Sequence, residues 1–149
     1  MLTKINSGGQ TGADQGGLEG ARLCGIPTGG TAPKGYRTET GPNLKLKTVY
    51  GLHEDSSSTY PPRTKKNVRD SDGTLWMGNV GSPGYWCTRS AVTNLELWIE
   101  NPTPEALRNW IGLYEIEILN VAGNRESKNP GIFERTKHLI VETFCYSDR

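Results

Sequence analysis

The glycine-rich stretch 7–17 is the part of this chain best suited to holding an anionic ligand. It reads Ser-Gly-Gly-Gln-Thr-Gly-Ala-Asp-Gln-Gly-Gly and lies between a predicted strand, 3–7, and a predicted helix, 13–24. Glycines let the backbone approach a ligand closely, and the free N–H groups at a helix start attract negative charge. The stretch therefore predicts a site for a phosphate or a carboxylate. Its candidate contacts are Gly8, Gly9, Gln10, Thr11 and Gly12.

Asp14 stands in the same stretch but carries the wrong charge for an anion site. We expect its carboxylate to meet a ribose hydroxyl or to cap the helix. The alternative for the whole stretch is a tight turn that only packs a helix onto a sheet. Its density of polar groups favours a ligand, so a bulky residue at Gly9 is expected to abolish binding while the protein stays folded.

Two later polar stretches also follow predicted strands. The stretch 78–84 follows the strand 74–77, and 123–129 follows the strand 114–121. Carboxyl ends of parallel strands share one edge of a sheet, so we expect both stretches to meet 8–12 there. Their candidate contacts are Gly81, Ser82, Pro83, Gly84, Tyr85, Asn124, Arg125, Glu126 and Ser127. Tyr85 and Trp86 are expected to stack on a base, and Arg125 to bind a phosphate or carboxylate.

Three further candidates come from the segment between the first helix and the strand 74–77. Lys34 and Tyr36 lie in a glycine-rich excursion, 28–42, and could bring a charge and a ring to a ligand. A solvated surface loop explains that composition equally well. Arg63 lies in the first turn of a predicted helix, 61–69, near the rim where the glycine loop is expected.

These elements must be arranged so that the polar stretches meet. Predicted strands alternate with helices, and the connections are short enough for crossovers, which is typical of a parallel α/β sheet. The sequence therefore predicts a Rossmann-like three-layer sandwich with a mainly parallel sheet. Its length of 149 residues fits a single domain, 1–149.

Composition argues against several classes of partner. The formal net charge is +1, from 17 basic and 16 acidic residues, so we expect no nucleic acid. No apolar run is long enough for a membrane span, and no signal-peptide pattern precedes the first strand. Three cysteines without paired spacing predict free thiols and a cytoplasmic protein. His53 and His138 lack partners at ligand spacing, so no metal site is expected.

Four motifs, taken together, resemble one known family. They are the stretch 7–15, Ala-Pro-Lys-Gly at 32–35, Asn-Val-Arg-Asp-Ser-Asp-Gly-Thr-Leu at 67–75, and Asn-Val-Ala-Gly-Asn-Arg-Glu-Ser-Lys-Asn-Pro-Gly-Ile at 120–132. The chain resembles the family of candidate molybdenum-cofactor carriers, the circularly permuted YpsA branch of the SLOG superfamily. The resemblance implies a SLOG fold, a nucleotide-derived ligand and homo-oligomers, either dimers or tetramers.

One loop departs from the enzymes of that superfamily, which cleave nucleoside monophosphates with an acid placed behind a glycine turn. Here the stretch 81–89 keeps the turn but contains no acid. N-glycosidic cleavage needs a carboxylate, so we expect binding without turnover and assign no catalytic residue. Two alternatives stay open: a nucleotide phosphoribohydrolase using Asp14 or Glu126, and a carrier of molybdenum cofactor held by its pterin phosphate.

Overall fold

The computed structural model describes residues 1–145. In chain order, the strands are β1 (Lys4–Ser7), β2 (Thr28–Gly29), β3 (Thr31–Ala32), β4 (Arg37–Thr38), β5 (Gly41–Pro42), β6 (His53–Glu54), β7 (Gly73–Met77), β8 (Trp98–Glu100) and β9 (Ile118–Gly123). The helices are α1 (Ala13–Leu23), α2 (Lys45–Thr48), α3 (Tyr60–Arg69), α4 (Pro83–Arg89), α5 (Pro104–Leu113) and α6 (Ile132–Ile140), which continues as a π-helix, Val141–Cys145. Short 3₁₀ turns lie at Lys34–Tyr36 and Leu95–Leu97.

A five-stranded parallel sheet forms the middle layer, in the order β2-β1-β9-β7-β8. Every pairing between neighbours in this sheet is parallel. The carboxyl ends of β1, β7 and β9 therefore lie on one rim, as the sequence predicted. The predicted three-layer α/β sandwich is confirmed.

Successive residues of the interior strands pack on opposite faces of the sheet. Leu75 and Val121 are fully buried in a cluster shared with α1, α5 and α6. Their neighbours Trp76 and Ala122 belong to a second cluster that includes Tyr85 of α4. Because successive strand residues point to opposite faces, α4 lies on the side opposite α1 and α6.

Helices α1 and α6 pack closely because α1 presents glycines to its neighbour. A Cβ at Gly16 would lie 2.5 Å from the Phe133 carbonyl oxygen, and one at Gly20 would lie 2.8 Å from Ile140 Cβ. Both helices follow neighbouring parallel strands, so they run in the same direction and their carboxyl ends meet.

The proximity of the carboxyl ends of α1 and α6 corrects the expectation that all three cysteines are free thiols. Cys24, directly after α1, forms a disulfide with Cys145 at the end of the π-helix. Only Cys87 is a free cysteine in the part of the chain that the structure describes. The expectation was wrong because a separation of 121 residues conceals the proximity of two helix ends.

Other differences from the sequence prediction lie at element boundaries. Residues 49–52, whose composition favours a short strand, instead form the turn between α2 and β6. The predicted strand 114–121 begins only at Ile118, because Tyr114 caps α5. Leu23 of α1 is exposed, whereas Leu18 and Ala21 of the same helix are buried. No described helix is long and apolar enough to cross a membrane.

Candidate functional site

The three strand-end loops lock together through Asn124, which follows β9. Its backbone oxygen accepts a hydrogen bond from Ala13 N at 3.1 Å, and its own N–H donates to the Met77 oxygen at 3.1 Å. Its side-chain oxygen accepts from Asn79 N and, at 3.2 Å, from Asn129. Asn124 is thus a structural hub of the rim, and it also lines the cavity described next.

A cavity of about 610 Å³ opens on this rim, which we call the rim cavity. Its volume is in the range typical of small-molecule sites. It is lined by Gln10, Asp14, Tyr60, Pro61, Arg63, Thr64, Trp76, Asn79, Ser82, Pro83, Gly84, Cys87, Thr88, Ala122, Gly123, Asn124, Arg125 and Lys128. The structure therefore gathers residues of all three predicted loops and Arg63 around one space.

Arg63 is held across the glycine loop by a buried acid. Its Nη1 lies 3.3 Å from Asp14 Oδ2, and the two side chains are 12% and 4% exposed. A Cβ at Gly8 would overlap the Arg63 guanidinium, so only glycine lets the side chain lie there. Burial raises the pKa of Asp14, while the Arg63 charge and the hydrogen bond from Gln10 N oppose that rise.

Gln10 is buried, and its orientation is determined by its neighbours. Its side-chain oxygen accepts hydrogen bonds from Thr11 N at 3.0 Å and from Glu39 N at 2.9 Å. Two backbone donors at one atom require that atom to be the oxygen, so the amide cannot be flipped. Its Nε2 is then buried without a hydrogen-bond partner among the described residues, as is Nε of Arg63.

The N–H groups of Gly9, Gln10 and Thr11 already have partners within the protein, which corrects the expectation that these N–H groups are free. Gly9 N donates to Ser7 Oγ at 3.3 Å, and Gln10 N donates to Asp14 Oδ2 at 3.1 Å. A Cβ at Gly9 would lie 2.6 Å from Leu46 Cδ1. Gly9 therefore makes room for the core, so a bulky residue there is expected to lower the stability of the fold as well as ligand affinity.

A second, more open cavity lies beside the first and divides the predicted site. It is lined by Thr11, Gly12, Gln15, Glu39, Thr40, Glu126, Ser127, Pro130, Phe133 and Glu134. A Cβ at Gly12 would lie 2.6 Å from Glu126 N, so this glycine serves loop packing. The candidates Thr11, Gly12, Glu126 and Ser127 thus line this second space and not the rim cavity.

Glu39 fills the polar centre of this second cavity, at the tip of the hairpin formed by β4 and β5. Its carboxylate accepts hydrogen bonds from the hydroxyls of Thr11 and Ser127 and, at 3.2 Å, from Ser127 N. Burial acts to raise the pKa of Glu39, but these hydrogen bonds and the Arg125 charge outweigh burial and lower it. An internal carboxylate therefore occupies donors that the sequence assigned to a ligand.

Glu126, one of the two acids considered for catalysis, is engaged in capping α6. Its carboxylate accepts from Gly131 N at 2.7 Å and from Phe133 N at 3.0 Å. Capping by a carboxylate satisfies N–H groups that the first turn leaves unpaired. Asp14 is then the one carboxylate among the described residues that line the rim cavity.

Two predicted aromatic contacts are core residues instead. Tyr36 is 8% exposed and packs with Leu18 and Leu46. Tyr85 is 4% exposed, and its hydroxyl donates to Glu100 at 2.7 Å, which raises its pKa. Both rings were assigned to a ligand because loop position alone does not reveal which way a side chain points.

The remaining predicted residues fall into two groups. Ser82 accepts a hydrogen bond from Tyr85 N at 3.2 Å as the N-cap of α4, and it lines the rim cavity with Pro83 and Gly84. Lys34 and Gly81 are exposed and line neither cavity.

Sequence reasoning overlooked Tyr60, Asn79 and Lys128 at the rim cavity and Glu39 beside it. Asn79 and Lys128 lie within the polar stretches that follow β7 and β9, so their position was a usable signal. Tyr60 and Glu39 approach through tertiary packing, and no local pattern marks them.

Comparison with known proteins shows the family of the chain. Residues 5–144 match the model of the circularly permutated YpsA SLOG family. The chain belongs to this family. The crystal structure of a candidate molybdenum carrier protein from Syntrophus aciditrophicus SB superposes with a TM-score of 0.82 and 36% sequence identity. The alignment covers 96% of this chain and 94% of that chain, and no protein of curated function matches the sequence.

The family assignment confirms the resemblance that the four motifs indicated. In this SLOG chain, two of those motifs, 7–15 and 120–132, contribute residues to the two cavities, including Gln10, Asn124 and Glu126. No residue of the motif 32–35 lines either cavity. The motif 67–75 contributes mainly β7, where Thr74 and Leu75 are buried in the sheet.

Proposed function

We propose that the rim cavity binds a phosphorylated, nucleotide-derived small molecule and releases it unchanged, in sensing or sequestration. The observation that carries this proposal is the pair of buried donors, Gln10 Nε2 and Arg63 Nε, which have no partner among the described residues. A buried donor left unpaired costs roughly 1–3 kcal/mol. A ligand oxygen that contacts either donor would offset its part of that cost.

Arg63 is prepared for an oxyanion by the way Asp14 holds it. Asp14 contacts Nη1, so the opposite edge of the guanidinium, which carries Nε, remains for a ligand. Such an edge matches two oxygens of a phosphate in a bidentate contact. Asp14 thereby acts as a positioning residue.

The charge of the cavity wall favours an anion. Three cations, Arg63, Arg125 and Lys128, stand against one carboxylate, Asp14, among the described lining residues. The wall also has an apolar part, which includes Trp76 and Ala122. A phosphate at one end and a flat, partly apolar group at the other fit this division.

Binding without turnover is proposed because Asp14 is the one carboxylate among the described residues that line the cavity. Hydrolysis of an N-glycosidic bond requires a carboxylate that faces the sugar. Glu126 caps α6, and Asp14 is committed to Arg63 and Gln10 N. A phosphoribohydrolase would have to use Asp14 for both positioning and catalysis.

A second candidate ligand is molybdenum cofactor, carried as cargo and held by its pterin phosphate. The name of the Syntrophus aciditrophicus protein favours it. Among residues 1–145, no three His, Cys, Asp or Glu side chains group as metal ligands. Gln10, Arg63 and Arg125 would therefore hold the phosphate of the cofactor. The metal would have no cluster of protein ligands among the described residues.

Mass spectrometry of small molecules released from the denatured protein tests which ligand is bound. We expect an intact phosphorylated compound in stoichiometric amount. Incubation with nucleoside monophosphates should release no free base over multiple turnovers. Sustained base release that Asp14→Asn abolishes would establish an enzyme instead.

The contribution of Arg125 is tested by calorimetry with a nucleoside monophosphate and its dephosphorylated analogue. Arg125→Ala should weaken the phosphorylated ligand about tenfold and the analogue little, because a charge-assisted contact is lost. Arg69→Ala is the matched control, since Arg69 is exposed and contacts its neighbour Asp70. Equal losses for both ligands would assign Arg125 a structural role.

A further inference from the structure

Three arginines converge on one aromatic ring at the mouth of the rim cavity. The guanidinium carbons of Arg37, Arg63 and Arg125 lie 5.7, 5.4 and 5.5 Å from the centroid of the Tyr60 ring. They come from β4, α3 and the loop after β9, which are distant in sequence. The fold therefore brings three like charges to one point.

Only one of the three arginines forms an ion pair, although the Glu39 carboxylate also acts on the charge of Arg125. Arg63 has Asp14, whereas Arg37 and Arg125 form no ion pair in the part of the chain that the structure describes. Arg37 makes a single long contact, 3.5 Å, to the Ser58 backbone oxygen. A ring contact offsets part of the repulsion between like charges, and an anion between them would offset far more.

The three arginines lie at different depths relative to the rim cavity. Arg63 is nearly buried and lines the cavity beside Gln10. Arg37 is exposed and lies outside the cavity lining, across Tyr60. Arg125 lines the cavity and contacts the same ring, so it stands between the inner and outer positions.

We propose that the ligand carries two anionic groups, as a nucleoside diphosphate or a related pyrophosphate compound does. The inner group binds Gln10 and Arg63, and the outer group binds Arg37 beside Tyr60. Arg125, which lies between them, contacts both groups. The inference rests on the proposed function but goes further, since a monophosphate held by Arg63 and Arg125 would leave Arg37 unused.

Calorimetry of the whole protein tests this with matched probes: inorganic phosphate and pyrophosphate, and adenosine and guanosine mono- and diphosphates. Each probe with two phosphate groups should bind at least about tenfold tighter than the matched probe with one phosphate group. Arg37→Ala should remove that preference while leaving the affinity for the one-group probe unchanged. Arg69→Ala, an exposed arginine at the far end of α3, is the control.

The outcomes separate the two proposals. If one-group probes bind as tightly as two-group probes, and Arg63→Ala weakens both, the inference fails and the proposed function stands. The same holds if Arg37→Ala keeps the preference while its melting temperature matches that of the parent protein. If none of the six probes binds at millimolar concentration, both proposals fail.

Discussion

At the scale of single residues, the glycines of the loop 8–12 have different tasks. Gly9 and Gly12 have φ values of 80° and 84°, and they make room for Leu46 and for the loop after β9. Gly8 makes room for the Arg63 guanidinium. Only the last of these acts on the candidate site.

Gly8→Ala should therefore displace Arg63 and weaken a phosphorylated ligand about tenfold. The stability of the protein should also fall, because displacing Arg63 leaves the buried Asp14 carboxylate without its cation. In an Arg63→Ala background the same change should have no further effect on calorimetric affinity. An equal loss in both backgrounds would show that Gly8 acts without Arg63.

Glu39 couples the stability of the hairpin to pH. Its pKa is lowered in the folded protein, so its contribution is complete above its ordinary pKa and is lost as pH falls through the folded value. Denaturant unfolding should show a stability difference between parent and Glu39→Gln that shrinks from about pH 5 to about pH 3. A difference independent of pH would mean that the Glu39 charge contributes nothing.

At the scale of elements, close contact between α1 and α6 sets the width of one layer. Gly16→Ala should lower the free energy of unfolding by about 1–3 kcal/mol, although alanine favours helix by about 1 kcal/mol, because the methyl would overlap the Phe133 backbone. Gly112→Ala is the control in α5, where no atom lies within 4 Å. It should stabilise by about 0.5–1 kcal/mol in denaturant unfolding. Stabilisation by both changes would contradict the close packing.

At the scale of the whole molecule, the disulfide joins the first helix to the last. Cross-linking across 121 residues restricts the unfolded chain, so reduction should lower the stability by about 2–5 kcal/mol. Cys24→Ser should reproduce the loss without reductant, and Cys87→Ser should not. Unchanged unfolding of Cys24→Ser would show that the link contributes no stability.

The expected dimer or tetramer also belongs to this scale. It follows from the family resemblance and stays a prediction. Size-exclusion chromatography with light scattering measures it, and a monomer at micromolar concentration would contradict it.

The sequence predicted the rim well because local chemistry determines it. Thr103 followed by Pro104 is a sequence pattern typical of a helix start, and the Thr103 hydroxyl accepts a hydrogen bond from Ala106 N at 3.1 Å at the start of α5. Strands followed by polar loops indicated a parallel sheet with one shared edge. Such signals depend on neighbours a few residues apart, so they can be read from the sequence.

What the sequence by itself determined is the fold class, the family and the rim on which the polar loops meet. Only the tertiary structure decided which side chains face the rim cavity. In the folded protein, Tyr36 and Tyr85 lie in the core, and Glu39 accepts a hydrogen bond from Ser127 N in the loop after β9. Tyr60 contacts three arginines. The physical reason is range: strand and helix patterns repeat over a few residues, whereas these contacts join segments tens of residues apart that meet only after the layers pack.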